Sequence, residues 1–294
     1  MPNDTHPVRK IFIHISILFS ISIGAISNID AQPYIDAFNS RYVKSPDAGF
    51  FQHDKKATDL NYFNLSTILP VLLKNKKDAV IFSPFYEQWS AHIAGVDSFK
   101  TTHFGLVLPV SLLKSISAKW SLLITPIIRI NDTAFTGKSK YQFGGALLAS
   151  HKSADGKFTY KFGVYLNGDL FGMFVMPLVG IDWRINASTN LFGVLPGNLT
   201  VEHKVSRHFY FGAAFRALTN SYTDINAQYW RIDENQLGTF ADCYLTKNIL
   251  FNIEAGHSIF RKIHSGIKNG LRTDLMANDN VYLKIGLAYR IRLD

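Results

Sequence analysis

The chain has 294 residues, of which 47% are hydrophobic, 14% aromatic and only 18% charged. That composition excludes a disordered chain and suits a protein whose surface is partly covered by something other than water. The net charge of +9 is spread over single Lys and Arg residues without a nucleic-acid-binding motif, which argues against nucleic acid as a partner, and the lone Cys243 excludes an internal disulfide.

The N-terminus reads as an export signal. Arg9 and Lys10 precede an uncharged apolar stretch from Ile11 to Ser27, and cleavage is expected after Ser27 or after Ala31. The stretch is short for a membrane span and contains His14, so residues 1–31 are expected to be a cleaved signal peptide and 32–294 a single β-barrel domain. No cysteine follows the apolar stretch to carry a lipid, and no second apolar run is long enough for a spanning helix.

From there the sequence alternates with period two, as strands with two unlike faces do. The pattern is weak at Ala79 to Ser90, where both faces carry aromatics. It is clear at Trp120, Leu122, Ile124, Ile128 and Ile130, opposite Lys119, Ser121, Thr125 and Arg129. Phe158, Tyr160, Phe162, Val164 and Leu166 oppose Lys157, Thr159, Lys161 and Gly163. Val179, Ile181, Trp183 and Ile185 oppose Gly180, Asp182, Arg184 and Asn186, and Phe209, Phe211 and Phe215 oppose His208, Tyr210 and Arg216. The last segment sets Val281, Leu283, Ile285, Leu287, Tyr289, Ile291 and Leu293 against Lys284, Gly286, Arg290 and Arg292.

Alternation alone also fits a soluble sandwich. Three features favour a transmembrane barrel: strands of about a dozen residues, a mixed polar and small opposite face, and connections that alternate in length. Short connections fall at 74–78, 114–117, 153–156, 186–189, 205–207 and 245–247; long ones fall at 44–59, 92–100, 131–139, 223–228 and 261–279. Gly168–Gly172 and Pro196–Asn198 lie at outer positions yet are short. Counting both as loops gives fourteen strands; merging the ambiguous piece at Leu191–Val205 gives twelve, the preferred count within a range of 10–14. Pro70, Pro84, Pro109, Pro126 and Pro177 fall inside expected strands, where proline cannot donate to a ladder, so bulges are expected near them.

The segment LFGVLPGNLTVEHKVSRHFYFGAAF (residues 191–215), together with SPFYEQW (83–89) and the two LPV strands, resembles an uncharacterised family of outer-membrane β-barrels of Gram-negative bacteria, known as a domain of unknown function. The resemblance covers the chain roughly from Gln32 onward. It implies a fold and an address, and no substrate. The chain departs from the aromatic C-terminus common in barrels by ending Arg292-Leu293-Asp294.

No residue set earns a catalytic, metal or cofactor assignment, and the chain is read as a non-enzyme: a passive channel or an envelope-structure component. His151-Lys152-Ser153 is the one spacing a barrel-wall lipid hydrolase could use, and it sits beside a short turn with no orienting Asn. His257 and Ser258 are adjacent, so on a strand they point to opposite faces. The ten histidines show no metal spacing. A soluble secreted sandwich or small-ligand barrel is the remaining alternative, and it needs the apolar face turned inward.

The candidate functional residues are the charges expected to line the lumen: Arg129, Lys161, Asp182, Arg184, Glu202, Lys204, Arg216, Glu254, Lys284, Arg290 and Arg292. They either ring a selective pore or pair across the lumen and fill it. The basic run from Arg261 to Arg272 is expected to be an outer loop able to meet lipopolysaccharide phosphates. Trp89, Trp120, Trp183 and Trp230 are expected in interfacial girdles. Outer-membrane lipid, and the barrel assembly machinery during biogenesis, are the expected partners.

Overall fold

The computed structural model describes residues 32–46, 58–93, 99–133, 140–223, 229–267, 270–275 and 277–293. The expected signal segment, residues 1–31, lies outside them. Seventeen β-strands form one sheet, and β1 (Tyr34–Ser45) pairs antiparallel with β17 (Val281–Arg292), which closes it into a barrel.

Two barrel strands are each built from two pieces: β2 (Thr58–Ser66) with β3 (Leu69–Leu72), and β4 (Ala79–Phe82) with β5 (Phe85–Ile93). The wall continues through β6 (Phe99–Ser115), β7 (Trp120–Thr133), β8 (Lys140–Lys152), β9 (Phe158–Asp169), β10 (Gly172–Arg184), β11 (Thr189–Leu195) and β12 (Asn198–Lys204). It then runs through β13 (Phe209–Thr223), β14 (Tyr229–Tyr244) and β15 (Ile249–Gly266), with β16 (Arg272–Asp274) a three-residue addition to the outer end of β15. The closed antiparallel barrel therefore has fourteen strands. It exceeds the preferred twelve because residues 189–204 form a hairpin of their own.

The interrupted strands show what the prolines do. β1 shifts register between Asp36 and Phe38, β2 breaks before β3, β4 breaks at Ser83–Pro84, and the β6–β7 ladder skips from Pro109 to Leu112. These irregularities lie side by side, joined by Thr67 N–H to the Pro84 carbonyl (3.1 Å) and Ser83 N–H to the Pro109 carbonyl (3.2 Å). Proline's missing donor is tolerated where the ladder is already broken. Pro109 and Pro84 lie at these breaks, whereas Pro70 sits opposite Ile81 in β3, which pairs only with β4. Pro177 lies on the half of β10 that pairs only with β9, where a missing N–H is again tolerated.

The apolar parity faces outward. Phe143, Tyr160, Phe162, Val179, Leu283, Ile285 and Leu287 are all exposed, at 44–65%. Their alternates Lys161, Asp182, Glu254, Lys284 and Arg290 are all under 9% exposed. A soluble sandwich would show the reverse. Trp120 lies on the outer surface, but Trp89 and Trp230 occupy the inward parity and are 1% and 2% exposed, which removes both from any girdle.

β11 and β12 have only seven residues each, so the wall dips beside them. Pairing of β10 with β11 begins at Val179, leaving Gly172–Leu178 paired only with β9. Pairing of β12 with β13 ends at Arg216, with one further bond from the Ala217 N–H to the Gly197 carbonyl (2.9 Å), leaving Leu218–Thr223 paired only with β14. The result is a window in the wall above the hairpin. Its upper edge is crossed by Arg231, whose guanidinium lies 4.1 Å from the Phe171 ring and 5.8 Å from Phe174.

The short-turn end carries both strand termini, with Tyr34 opposite Arg292. Its β3–β4 turn is pinned by Asp78, which accepts from the Lys114 ammonium (2.5 Å), the Ser115 N–H and the Asn75 amide. Lys114 foremost, and then the other two donors, hold the Asp78 carboxyl down to about 2. A carboxyl depressed on folding stabilises the fold above its ordinary value, near 4, and that contribution fades as pH falls towards 2. Asp78→Asn should therefore lower the temperature at which the folded band converts on a denaturing gel at pH 7. The difference from wild type should vanish near pH 2; a gap that persists there would remove the turn from that account.

Candidate functional site

The interior is crossed by hydrogen bonds between strands that are not neighbours in the wall. Near the short-turn end, Arg292 of β17 reaches Glu202 of β12 with two bonds of 2.7 and 3.1 Å. Arg290 holds Asp36 of β1 (2.5 and 3.0 Å) and Asp242 of β14 (2.6 Å), and its guanidinium lies 3.5 Å from the Tyr34 ring. Lys161 and Asp182 pair at 2.6 Å on adjacent strands.

At mid-height Glu254 of β15 is the hub. It accepts both arms of Arg216 (2.6 Å each), the Lys284 ammonium (2.5 Å) and the Tyr282 hydroxyl (2.7 Å), and its side chain is fully buried. Two facing glycines, Gly238 of β14 and Gly256 of β15, make this possible. A Cβ at either would stand 2.3 or 2.7 Å from the Tyr282 hydroxyl oxygen, so only glycine lets the phenol reach Glu254.

At the outer end, β13 and β14 lean across the mouth. The inward face of β13 meets Glu87 of β5, which receives the Tyr222 hydroxyl (2.8 Å), the Tyr62 hydroxyl (3.2 Å) and the Asn220 amide. Asn220 also accepts from Arg129 (2.9 Å), whose other arm reaches the Tyr165 hydroxyl (3.0 Å). The opposite face of the same strand is buried too. Ser221 is fully enclosed: its carbonyl accepts from Asn131 (2.8 Å), and its hydroxyl binds Gln142 (2.9 Å) and Asp169 (3.1 Å). Trp230 stacks on His103 at 4.4 Å, and His103 in turn on Tyr222 at 5.1 Å. The outer ends of β13 and β14, at Asn220–Tyr222 and Trp230, are thus wedged into the mouth, with protein on both sides.

Below this wedge are two cavities. One of about 420 Å³ is bordered by Arg41, Tyr62, Glu87, Trp89, Arg129 and Thr219, among others. A second, of about 270 Å³, lies among Tyr34, Asp36, Arg216, Lys284 and Arg290.

Of the eleven charges singled out from sequence, Lys161, Asp182, Glu202, Arg216, Glu254, Lys284, Arg290 and Arg292 enter ion pairs. Arg129 is bound to neutral oxygens. Lys204 lies over Tyr210 at 5.9 Å, and Arg184 stands exposed at the end of β10, its backbone N–H bonded to the Lys157 carbonyl. The network also uses Asp36, Arg41, Glu87, Glu234 and Asp242; Asp36 and Arg41 are at opposite parity on β1 and both turn inward only because of the register shift between Asp36 and Phe38.

The basic outer loop is corrected. Strand β15 continues to Gly266, and Arg261 is wholly buried, bound to Glu234 (2.6 and 3.1 Å) and to the Ser45 hydroxyl (2.7 Å). A bulge near Phe260, which has φ 56°, turns it inward, and Asp279 caps the two freed N–H groups of Phe260 and Arg261. Lys268 lies outside the described residues.

The hydrolase spacing is not assembled. The His151 ring packs on Trp120 at 4.6 Å, while the Ser153 hydroxyl donates to Asp155 (2.5 Å) and accepts from the Phe158 N–H (3.0 Å), closing its own turn. Among the described residues no group of three or more His, Cys, Asp or Glu side chains could hold a metal ion.

Comparison with solved structures finds an outer-membrane channel from Pseudomonas putida F1 at 10% identity and a TM-score of 0.42, covering 90% of this chain and 98% of that one. It also finds the outer-membrane phospholipase of Salmonella typhi, a dimer with bound calcium, at 10% identity and a TM-score of 0.37, covering 94% and 99%. A mutant of the monoaromatic hydrocarbon channel TodX follows at 11% identity and a TM-score of 0.35, covering 91% and 92%. No curated protein sequence matches. The sequence profile of a family described as "Domain of unknown function (DUF6268)" matches residues 61–290, and the chain belongs to that family.

Proposed function

We propose that this protein is a bacterial outer-membrane β-barrel serving as a narrow, normally closed channel. One observation carries the reading: a closed fourteen-strand barrel presents apolar side chains outward around its wall and keeps its charges inside. Only a surrounding apolar phase makes that orientation favourable. In this reading residues 1–31 direct export, the assembly machinery inserts the barrel, and outer-membrane lipid covers the exposed band.

The interior favours a closed resting state over a wide diffusion pore. Barrels of 16–18 strands leave an aqueous channel, and fourteen strands leave less room. Here Arg–carboxylate pairs cross the interior, and the outer ends of β13 and β14 lean across the mouth.

Membrane fractionation with boiled and unboiled gel samples tests the address. A heat-modifiable band in the outer-membrane fraction is expected; a soluble protein without a band shift would sink the reading. Planar-bilayer recording then tests the channel, with brief, small conductance steps expected. A silent wild type that stays silent once the mouth is opened would point to an envelope-structure role instead.

A further inference from the structure

The interior does not pair all of its charges. Arg216, Arg261, Arg290 and Arg292 each close on a carboxylate. Arg41 and Arg129 have no carboxylate at ion-pair distance among the described residues, and reach only neutral oxygens: Tyr62 for Arg41, Asn220 and Tyr165 for Arg129. Both border the 420 Å³ cavity. Each keeps a buried Nε–H without an acceptor, as does the buried indole of Trp89 on the same cavity. Of the cavity's own carboxylates, Asp36 is paired with Arg290, while Glu87 is held by three neutral donors and offsets the charge of one guanidinium. Against that one carboxylate stand two guanidiniums, and the excess positive charge together with the unused N–H donors calls for an anion.

The same cavity reaches the wall. Ala217 and Thr219 fall on the outward parity of β13, yet they border the cavity together with Asn198 beside the tip of the short hairpin. Ala217, whose N–H still bonds the Gly197 carbonyl, is the lower corner of the window, and Thr219 lies on its β13 edge. Across it, the half of β10 that pairs only with β9 carries the apolar side chains Met173, Val175, Met176 and Leu178, the first two 74% and 58% exposed. Unpaired backbone at membrane depth is tolerated where it borders a cavity or a polar path, and not against lipid alone.

We propose that the window admits an amphipathic carboxylate from the surrounding lipid layer. Its headgroup binds between Arg129 and Arg41, and its single apolar chain lies in the window between β10 and β13. The placement of the window in lipid rests on the outer-membrane reading above.

The test is saturable binding of radiolabelled dodecanoate to the purified, folded barrel in non-ionic detergent, with dodecanol as the uncharged control. Dodecanoate should bind at least about tenfold more tightly than dodecanol, and Arg129→Gln or Arg41→Gln should each remove most of that preference. Ala217→Trp, at the window edge, should weaken dodecanoate by a similar factor, and the gel shift on boiling identifies variants that fold. Equal binding of acid and alcohol, or an unchanged affinity in folded Arg129→Gln or Ala217→Trp, would overturn the proposal. A barrel that fractionates with the outer membrane but fails these tests overturns this inference alone, whereas a soluble protein overturns the membrane reading.

Discussion

Glu254→Ala is expected to be the most damaging single substitution in the barrel, at about 3–5 kcal/mol, the range seen when one partner of a buried ion pair is removed. Glu254 has no exposed side-chain surface, and its loss would strand the Arg216 guanidinium, the Lys284 ammonium and the Tyr282 hydroxyl together. Two like charges would then face each other without the anion that joins them. The measurement is the urea midpoint of reversible folding into lipid vesicles, read from the heat-modifiable band. The control removes the charges together: Arg216→Met, Lys284→Met and Glu254→Leu in one chain should recover most of the loss, because apolar replacement of a whole buried ionic group is often neutral. A single Glu254→Ala within about 1 kcal/mol of wild type would mean that water reaches the cluster and screens it, as at exposed pairs.

Opening the mouth should have an equally large effect on conduction. Replacing residues 220–232 by a two-residue Asn-Gly turn joins Thr219 to Asp233, which face each other in the ladder, and leaves Leu218, Glu234 and the buried Arg261 pair in place. The deletion removes Asn220, Ser221, Tyr222 and Trp230, which hold the outer ends of β13 and β14 against Glu87, Asn131, Gln142 and His103. Single-channel conductance is expected to rise on the order of tenfold, since it depends on the narrowest constriction. An unchanged conductance in the folded deletion variant would place the constriction lower, at the Arg290 and Glu254 clusters.

Much of this architecture is legible in the sequence because strand chemistry is local. Alternation at Phe158–Leu166 and Val281–Leu293 reads out which face is which without knowledge of any partner. Turn chemistry shows the inner end in the same way: Asn75, Ser117, Asp155 and Asn186 all bond backbone N–H groups two or three residues on. The interior pairing is a different matter. Arg290 and Asp36 lie 254 positions apart, and Glu87 and Tyr222 lie 135 apart. Parity can place each residue on the inner face, but only barrel closure and the lean of β13 decide which of them meet. Arg261 shows how parity itself fails, because one bulged residue reverses the face of everything beyond it.

The seven-residue strands β11 and β12 also set how the barrel sits in a bilayer. At about 3.4 Å per residue and a tilt of about 40°, such a strand rises only about 18 Å, against an apolar band of about 25 Å elsewhere on such barrels. A hydrocarbon layer matched to β14 and β15 is therefore too thick beside this hairpin. The lipid has to compress there, or the barrel has to lean towards its low side. Either response costs less in a thin membrane, so the yield of folded barrel should fall as the acyl chains of the host vesicles lengthen. Lengthening β11 and β12 by two residues each should flatten that dependence.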